Sequence, residues 1–499
     1  PGMVLKIVTG LRPDPATGLL TATIHDLPQV AIGRIALTLA GGPRGLLAAP
    51  LACGPARGQA RFVPYGGGPP VTSTAPVTIA SALPGLACPG PLPFAPQLLL
   101  SATSNRAGKP TSFSTTLHRR GGEGLPARFD LTLPAGLSAA LGAVEACPES
   151  LASSGACPPA SRVGSARAEV GSGPVPAVLS GGVYVAGPYR RAPFSLVMAF
   201  GVKVGPFDLG TVAFRAMARI DGRTGRVTVA TDRLPSVVEG VPIRFQTIAI
   251  ALDRQGLVRN PTSCGPHSLD VALESHEGAI AASSTPYQVR GCKRLGFSPR
   301  LDAALLNRGQ LRKHKQVGMR VSARFHPADT ALRSLSLAMP PALKLHVDGL
   351  KEICSRPDAR RGLCPLGSRI GTARARTPLL DESLAGSVYV VQPGDAGEPD
   401  IWVALAGGGI KLTVRGSTAP DHGRLLTKLS GLPDMPLSAF TMRLGGPGKN
   451  VLSFEASPCA NGRPRRLGTE LHVVGQNGAR RLSTLLIATR SRCGAAPSR

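Results

Sequence analysis

The sequence is poor in several features that mark common classes of protein. No stretch approaches the roughly 20 consecutive apolar residues that a membrane-spanning helix needs. Aromatic residues are scarce, with 13 Phe, five Tyr and a single Trp, Trp402, in 499 residues. Carbohydrate clefts and single-stranded nucleic-acid grooves rely on aromatic stacking, so the composition disfavours both kinds of site. Trp402 itself is predicted to be a core residue.

Signatures of common enzymes are missing as well. The sequence has no Gly-x-Ser-x-Gly elbow, no His-Glu-x-x-His helix, no Walker loop and no calcium-binding loop. Asp and Glu together number only 29. Paired carboxylates of a glycoside hydrolase meet only in space, so a secreted hydrolase with its site in one divergent unit stays as the least favoured alternative. The chain is predicted to be non-enzymatic, with no cofactor, no metal and no catalytic residue.

Positive charge is the feature present in excess. The formal net charge is +28, and 46 of the 57 basic residues are Arg. Either attraction to a polyanion or the codon bias of a GC-rich genome explains this excess. Arg-rich stretches at 311–316, 356–362 and 463–482 lack interleaved aromatic residues, so they are interpreted as solvated loops and strand faces. Weak polyanion binding at low salt is expected in either case.

A segment of the sequence occurs twice, about 200 residues apart. CPPASRVGSARAEV (157–170) returns as CPLGSRIGTARART (364–377), with eight of fourteen positions identical. A fixed period of this length indicates tandem structural units. We divide the chain into the C-terminal part of a first unit (1–90), a second unit (91–292), a third unit (293–493) and a basic tail (494–499).

Three further anchors recur at the same period. An Asp-and-Gly corner between alternating strands follows at 11–28, 218–235 and 417–433, where Gly permits the positive φ of a turn. A strand that leads to a Cys lies at 35–54, 248–265 and 440–460, and a Leu-Pro-Ala-Gly-like turn occurs at 131–137 and 337–343. Pro1 begins inside this pattern, so we expect a fragment with any export signal upstream.

The ten cysteines fit the same period without remainder. Two pairs are ten residues apart and three are about thirty apart; the predicted disulfides are Cys53–Cys88, Cys147–Cys157, Cys264–Cys292, Cys354–Cys364 and Cys459–Cys493. Zinc binding is the alternative, but no Cys-x2–4-Cys spacing occurs. Disulfides persist in oxidising compartments, so an extracellular or cell-surface location is expected.

Apolar residues mostly alternate with polar ones, as in half-buried β-strands. This period recurs in 127–133, 225–231, 269–275 and 469–475, and hairpin turns are predicted at 276–278 and 477–478. The best helical candidate, 137–153, is interrupted by Pro148, and the matching region around 343–360 is just as short. We predict an all-β chain of tandem antiparallel β-sandwich repeats, immunoglobulin-like or jelly-roll-like, clamped by disulfides and with few short helices. A further division of the units near residues 200 and 405 is left open.

A few residues suggest sites but have simpler interpretations. His267 and His276 are the histidines nearest to a pair, yet neither has a neighbouring Cys or carboxylate cluster, so both are taken as surface residues. Asp14 and Asp221 are expected to cap their own turns, with a weak calcium site as the alternative. The Gly-rich segments 41–45 and 445–450 occupy equivalent positions in two units and are taken as turns.

The repeated motifs resemble a family of uncharacterised secreted or surface proteins. CPPASRVGSARAEV, CPLGSRIGTARARTPLL, GGVYVAGPYRRAPFSLV, GPFDLGTV and NPTSCG are similar to the repeats of such proteins in high-GC Gram-positive bacteria, which carry a Cys-Pro-x-x-Ser-x-Ile-Gly core. The resemblance covers nearly the whole chain and implies immunoglobulin-like repeats but no activity. The third unit departs from it at 392–405, and a terminal capping role is one explanation.

These observations predict a structural or adhesive repeat protein of the cell envelope. The partner is unknown, and envelope polymers and neighbouring copies of the chain are the candidates. If the units bind a partner, the repeated loop near 187–193 is the first place to look. The alternative is a polyanion-binding surface module that holds wall polymer or extracellular DNA.

Overall fold

The computed structural model describes most of the chain. The described residues are 6–39, 50, 53–80, 92–171, 175–204, 207–306, 309–346, 350–394, 398–445 and 450–493. Cys88, the Gly-rich segments 41–45 and 446–449, and the basic tail lie outside them, so the predictions made for those residues are not addressed by the structure.

The described part of the first unit consists of two antiparallel hairpins. Their strands are β1 (Thr9–Pro13), β2 (Leu20–Ile24), β3 (Gly54–Phe62) and β4 (Val71–Ile79). Most of their side chains are exposed. Within the described residues, this unit therefore has strand pairs but no core of its own.

The described residues of the second unit form sixteen strands. They are β5 (Gln97–Ala102), β6 (Pro110–Thr111), β7 (Phe113–His118), β8 (Pro126–Thr132), β9 (Ser138–Ala139), β10 (Arg162–Val170), β11 (Ala177–Ala186), β12 (Phe194–Val204), β13 (Phe207–Ile220), β14 (Val227–Thr231), β15 (Val237–Val238), β16 (Val241–Pro242), β17 (Phe245–Leu252), β18 (Val258–Arg259), β19 (Ser268–Ser275) and β20 (Ile280–Pro286). Eleven of them form one antiparallel sheet in the order β5-β7-β17-β10-β11-β12-β13-β14-β8-β19-β20.

In the third unit, nineteen strands lie within the part of the chain that the structure describes. They are β21 (Arg300–Leu305), β22 (Gln310–Leu311), β23 (Gln316–Val317), β24 (Met319–Arg324), β25 (Leu332–Ala338), β26 (Leu343–Leu345), β27 (Arg369–Arg376), β28 (Leu384–Val391), β29 (Asp400–Gly407), β30 (Ile410–Val414), β31 (Gly416–Asp421), β32 (Arg424–Leu429), β33 (Ala439–Leu444), β34 (Leu452–Phe454), β35 (Cys459–Ala460), β36 (Arg463–Pro464), β37 (Gly468–Gly475), β38 (Arg480–Leu486) and β39 (Arg492–Cys493). Its two main sheets run β21-β24-β33-β27-β28-β29-β30 and β31-β32-β25-β37-β38.

The strands of the second and third units follow the same order in their sheets. Reading from β5 and from β21, each strand of the eleven-stranded sheet of the second unit has a counterpart in the third, and the long strand β13 corresponds to β30 and β31 together. Gly416 marks the break, because a side chain there would lie 2.2 Å from the carbonyl oxygen of Ile401. The repeat in the sequence is therefore a repeat of topology, divided into two sheets only in the third unit.

Each complete unit is a sandwich because the strands at the two ends of its sheet order pack against each other. The end strands β5 and β20 are in contact in the second unit, and β21 and β38 are in contact in the third. In the second unit Leu117 and Ile248 of one layer face Leu131 and Leu273 of the other. The alternation predicted for β19 and β37 is present, with every second side chain directed into the core.

Among the described residues, each complete unit has one large core. Buried apolar residues from 107 to 292 form the core of the second unit, and those from 297 to 487 form the core of the third. Residue 200 lies inside β12 and residue 405 inside β29. A division of either unit at these positions would cut a strand and a shared core, so each unit is a single sandwich.

Helical structure is limited to short segments at loops. The α-helices are α1 (Glu149–Ala152) and α2 (Arg356–Arg361), and the 3-10 turns are Leu141–Ala143, Pro159–Ser161, Cys292–Arg294 and Leu366–Ser368. Pro148 is the N-cap residue of α1, which explains why the candidate 137–153 does not continue as one helix. The predicted all-β class of tandem antiparallel sandwiches with few short helices is confirmed.

Candidate functional site

Four of the five predicted cysteine pairs are disulfides in the structure. They are Cys147–Cys157, Cys264–Cys292, Cys354–Cys364 and Cys459–Cys493, with Cα–Cα distances of 5.4, 5.9, 5.2 and 5.9 Å. The Cys53–Cys88 pair includes a residue outside the described part of the chain. The short disulfides precede β10 and β27, and the long ones join the open ends of the β19–β20 and β37–β38 hairpins. Equivalent bridges therefore clamp equivalent places in both complete units.

Each short disulfide covers a small cluster of buried side chains at the edge of its sandwich. Cys147 packs with Ala152, Ala186 and Val197 in the second unit. In the third unit, Cys354 packs with Trp402, which is 3% exposed and so lies in the core, as expected. These clusters fix the start of the loop that follows β11, the loop identified from the sequence as the first candidate for binding.

The 187–193 loop forms a tight corner. The backbones of Tyr189 and Ala192 exchange two hydrogen bonds of 3.0 and 2.8 Å. Arg190 and Arg191, between them, have φ values of 46° and 66°. Positive φ is unfavourable for residues with a side chain, so neighbouring contacts must hold this corner.

Those contacts centre on Tyr189. Its hydroxyl donates to Asp232 Oδ2 at 2.7 Å, and Arg190 pairs with Asp232 Oδ1 at 3.0 Å. Burial and the neighbouring Asp232 raise the pKa of the Tyr189 hydroxyl. The guanidinium carbon of Arg215 lies 3.9 Å from the centre of the Tyr189 ring. This buried arginine also pairs with Glu149 of α1 at 2.5 Å, which links the corner to the disulfide region.

The third unit has an arginine at the position of Arg215, but its loop after β28 has a different sequence from the 187–193 loop. Arg415 occupies the position of Arg215, and its guanidinium carbon lies 5.1 Å from the centre of the Trp402 ring. The loop that follows β28 has the sequence QPGDAGEP, and residues 395–397 of it are outside the described residues. The corner of the second unit therefore presents two exposed arginines on a rigid base, which suits a contact surface and provides no nucleophile or general base.

One grouping of side chains superficially matches a hydrolytic triad. Ser263 Oγ lies 3.2 Å from His267 Nε2 and donates to Asp434 Oδ2 at 2.8 Å. In a working triad the carboxylate orients the histidine through its far nitrogen. Here the carboxylate binds the serine, and His267 Nδ1 is buried without a hydrogen-bond partner among the described residues. The arrangement cannot activate Ser263 and is a structural network.

The other candidate residues are used locally. Asp14 and Asp221 each accept hydrogen bonds from their own turn, including the Thr17 and Thr224 hydroxyls at 2.7 and 2.6 Å. These hydroxyl contacts lower the pKa of both carboxyls. His276 lies beside Arg233, and burial together with this charge lowers its pKa. Groups of three or more metal-ligating side chains are absent among the residues that the structure describes.

The Arg-rich stretches lie largely on exposed surfaces. Arg356 pairs with the buried Asp400 and Arg361 with Asp358, both around α2. The largest exposed set lies on and near the β37–β38 hairpin and consists of Arg463, Arg465, Arg466, Arg480 and Arg481. Within the described ranges, no helix is long and apolar enough to span a membrane.

Sequence reasoning missed three residues that organise the structure. Asn260, Arg215 and Asp434 are all buried and make hydrogen bonds between distant segments. Asn260 belongs to the NPTSCG motif, which was recognised only as a family feature. Arg215 and Asp434 carry no signal beyond their positions in the repeat, because their partners come together only in the folded chain.

Comparisons with known proteins do not assign the chain to a family. No family model matches it, and no curated protein sequence matches it. A solved type II cohesin dyad from the adaptor ScaA scaffoldin of Acetivibrio cellulolyticus is 9% identical; the match covers 81% of this chain and 100% of the dyad, with a TM-score of 0.17. A Corynebacterium diphtheriae protein described as membrane anchored is 8% identical, with 89% and 96% coverage and a TM-score of 0.21. Similarity at this level carries no conclusion about function.

Proposed function

We propose that the chain is a non-enzymatic extracellular protein of the cell envelope, with a structural or adhesive role. The observation that carries this proposal is that the same disulfide-clamped sandwich occurs twice in series, with equivalent bridges in both copies. Disulfides of this kind persist outside the reducing cytosol. Serial, clamped units of one topology suit a spacer or a presenting stalk better than an enzyme.

The 187–193 corner supports an adhesive role within this proposal. Its two exposed arginines are held on Tyr189, Asp232 and Arg215 rather than on a flexible loop. A rigid cationic projection loses little conformational freedom when it contacts an anionic partner. The chemistry of that partner would be a carboxylate or phosphate group of an envelope polymer.

The location and the covalent state can be tested together. Protein recovered from the native cells should be found in the surface or culture-fluid fraction, and alkylation without reduction should modify none of its ten cysteines. Peptide mass spectrometry of the same sample should give five linkages in the predicted pairs, including Cys53–Cys88. A cytosolic location, or thiols that alkylate without reduction, would contradict the proposal.

Polyanion binding is a second candidate function because exposed arginines lie at both ends of the β37–β38 hairpin, three before β37 and two directly after the turn. Glu470, on β37, forms its ion pair with Arg424 of β32 and not with one of these five arginines. We expect retention on immobilised heparin, used as a model polyanion, to fall steeply with salt. The Arg466→Ser/Arg480→Ser variant should elute at lower salt than Arg300→Ser/Arg374→Ser, which removes the same charge from exposed positions on β21 and β27.

The comparison separates a local site from general charge. Equal elution of the two double variants would mean that the net charge of +28 alone causes retention. Retention that does not change with salt would contradict electrostatic binding altogether. Either outcome would leave the structural role as the better-supported function.

A further inference from the structure

Successive units make the same asymmetric contact at both junctions. The Asp corner of one unit lies against the segment that follows a Leu-Pro pair in the next unit. At the first junction the Gly240 N–H donates to Pro15 O at 3.3 Å. At both junctions a glycine of the corner packs on this segment: a side chain at Gly18 would lie 3.6 Å from Val237 Cγ1, and one at Gly225 would lie 2.9 Å from Met435 Sδ. The backbone hydrogen bond of the second junction differs, because Gly222 O accepts from Thr413 of β30 at 3.1 Å. The junctions are head to tail, and one contact type serves both.

The second junction contains a buried carboxylate that the first lacks. Asp434, directly after Leu432-Pro433, accepts hydrogen bonds from the backbone N–H groups of Thr262 and Ser263 at 2.9 and 2.8 Å. It also accepts the hydroxyls of both residues, with Ser263 Oγ at 2.8 Å. Thr262 Oγ1 in turn accepts the N–H of Ala331 at 3.0 Å. One acidic side chain of the third unit thus receives four hydrogen bonds from the second.

The surrounding surface is shaped to admit this side chain. A side chain at Gly136 would lie 2.9 Å from Asp434 Cβ, and Gly136 has a φ of 83°. Asn477 adds one hydrogen bond across the same junction, to the carbonyl oxygen of Cys292 at 3.1 Å, and a second within the third unit, to that of Leu295 at 3.1 Å. At the position of Gly136 the third unit has Ala342. Gly136 therefore permits the close approach of Asp434, and the third unit does not keep this glycine.

At equivalent positions of the repeat, the sequences of the units differ in a matched way. The pair before the cysteine is Thr262-Ser263 in the second unit and Leu51-Ala52 in the first. The residue after the Leu-Pro pair is Asp434 in the third unit and Ser236 in the second. The unit with the hydroxyl-bearing pair Thr262-Ser263 is followed by a unit that has Asp434 at this position. The unit with Leu51-Ala52 is followed by a unit that has the neutral Ser236 there.

We propose that Asp434 is the specificity residue by which the third unit accepts the second unit as its neighbour. A buried carboxylate opposite Leu and Ala would lose both hydroxyl donors and keep its desolvation cost, which disfavours the wrong order of units. Ser opposite Thr-Ser would forgo the charge-assisted hydrogen bonds. The residues at positions 262–263 and 434 thus determine which unit the third unit accepts as its neighbour. This inference does not depend on the proposed function.

The test is a swap in the full chain. Thr262→Val/Ser263→Ala removes the two hydroxyls at nearly constant shape, Asp434→Ser removes the carboxylate, and a third protein combines all three changes. Asp302→Ser is the matched control, because Asp302 is exposed on β21 and pairs with Arg320 of the same unit. Amide hydrogen exchange is measured in peptides that cover the corner 221–225 and the segment 432–438.

Each one-sided variant should exchange about ten- to a hundredfold faster than the parent in both peptides, since buried hydrogen bonds to a charge are lost. The combined variant should exchange more slowly than Thr262→Val/Ser263→Ala alone. Trp402, the only tryptophan, lies in the core of the third unit, so its unchanged emission shows that this unit stays folded. Effects that simply add in the combined variant, or unchanged exchange in Asp434→Ser, would overturn the proposal.

Discussion

Replacing Asn260 with alanine is expected to lower the free energy of unfolding of the second unit by about 3–5 kcal/mol. The Asn260 side chain is 1% exposed. Its Nδ2 donates to the carbonyl oxygens of Ser104 and Arg106 at 2.8 and 3.0 Å, and its Oδ1 accepts the Tyr287 hydroxyl at 2.5 Å. Alanine removes all three hydrogen bonds and leaves the buried Tyr287 hydroxyl without this partner, while the carbonyl oxygens of Ser104 and Arg106 keep only the Thr111 hydroxyl and the Lys109 N–H, at 3.1 and 3.3 Å.

The effect is measured as the shift of the unfolding transition. A loss of this size in a unit of about 200 residues corresponds to a decrease in Tm of roughly 10 °C by calorimetry. Hydrogen exchange in peptides from β19 and β37 identifies which unit has become less stable. These two strands are equivalent, and each contributes to the core of its own unit, β19 in the second and β37 in the third. The transition of the third unit should move much less.

Tyr287→Phe is the matched control for this substitution. It removes one hydroxyl from the same network but leaves both Nδ2 hydrogen bonds of Asn260 intact, so a loss of only about 1 kcal/mol is expected. Burial raises the pKa of the Tyr287 hydroxyl to about 12. The neutral hydroxyl therefore stabilises the unit fully below its ordinary pKa near 10, and this contribution is lost as the pH rises toward 12. Equal losses in the two variants would show that Asn260 has no special role.

Removing the long disulfide of the second unit is expected to have the other large effect. The Cys264→Ser/Cys292→Ser variant should lose about 3.5 kcal/mol of stability, because the bridge closes a loop with a sequence separation of 28 residues. The same bridge lies at the junction: Ser263 precedes Cys264 and contacts Asp434, and the Cys292 carbonyl accepts from Asn477. The loss should therefore also loosen the contact with the third unit.

The short bridge provides the comparison. Cys147→Ser/Cys157→Ser opens a loop with a separation of ten residues, so a smaller loss of about 2.7 kcal/mol is expected, without faster exchange in the segment 432–438. Urea titration of both variants, followed by exchange in β19, gives the two losses. A larger loss for the short bridge, or an unaffected junction in the long-bridge variant, would contradict this account.

Much of the architecture could be predicted because it depends on local pattern and on repetition. Alternating apolar residues in 269–275 and 469–475 predict strands, and these segments form β19 and β37. The Asp and Gly of 221–225 predict a corner, which the structure forms by hydrogen bonds within a few residues. The matched cysteine spacings predict partners because two copies of one unit restrict the possible pairings.

The division of each unit could not be predicted in the same way. A stretch of about 200 residues with many strands suits either two small sandwiches or one large one, since the local period is identical in both. The contact of β5 with β20 and of β21 with β38 decides for one sandwich per unit. That contact joins the two ends of each unit, and no local pattern in the sequence reports it.

By itself the sequence determined the strands, the turns, the length of the repeat and the pairing predicted for the cysteines. Each of these follows from residues close in the chain or from comparison of its copies. Only the tertiary structure placed Asp434 on Thr262 and Ser263, Arg215 on Tyr189, and Asn260 between Ser104 and Tyr287. These contacts join residues far apart in sequence, and the value of a buried polar group depends on which partners the fold brings to it.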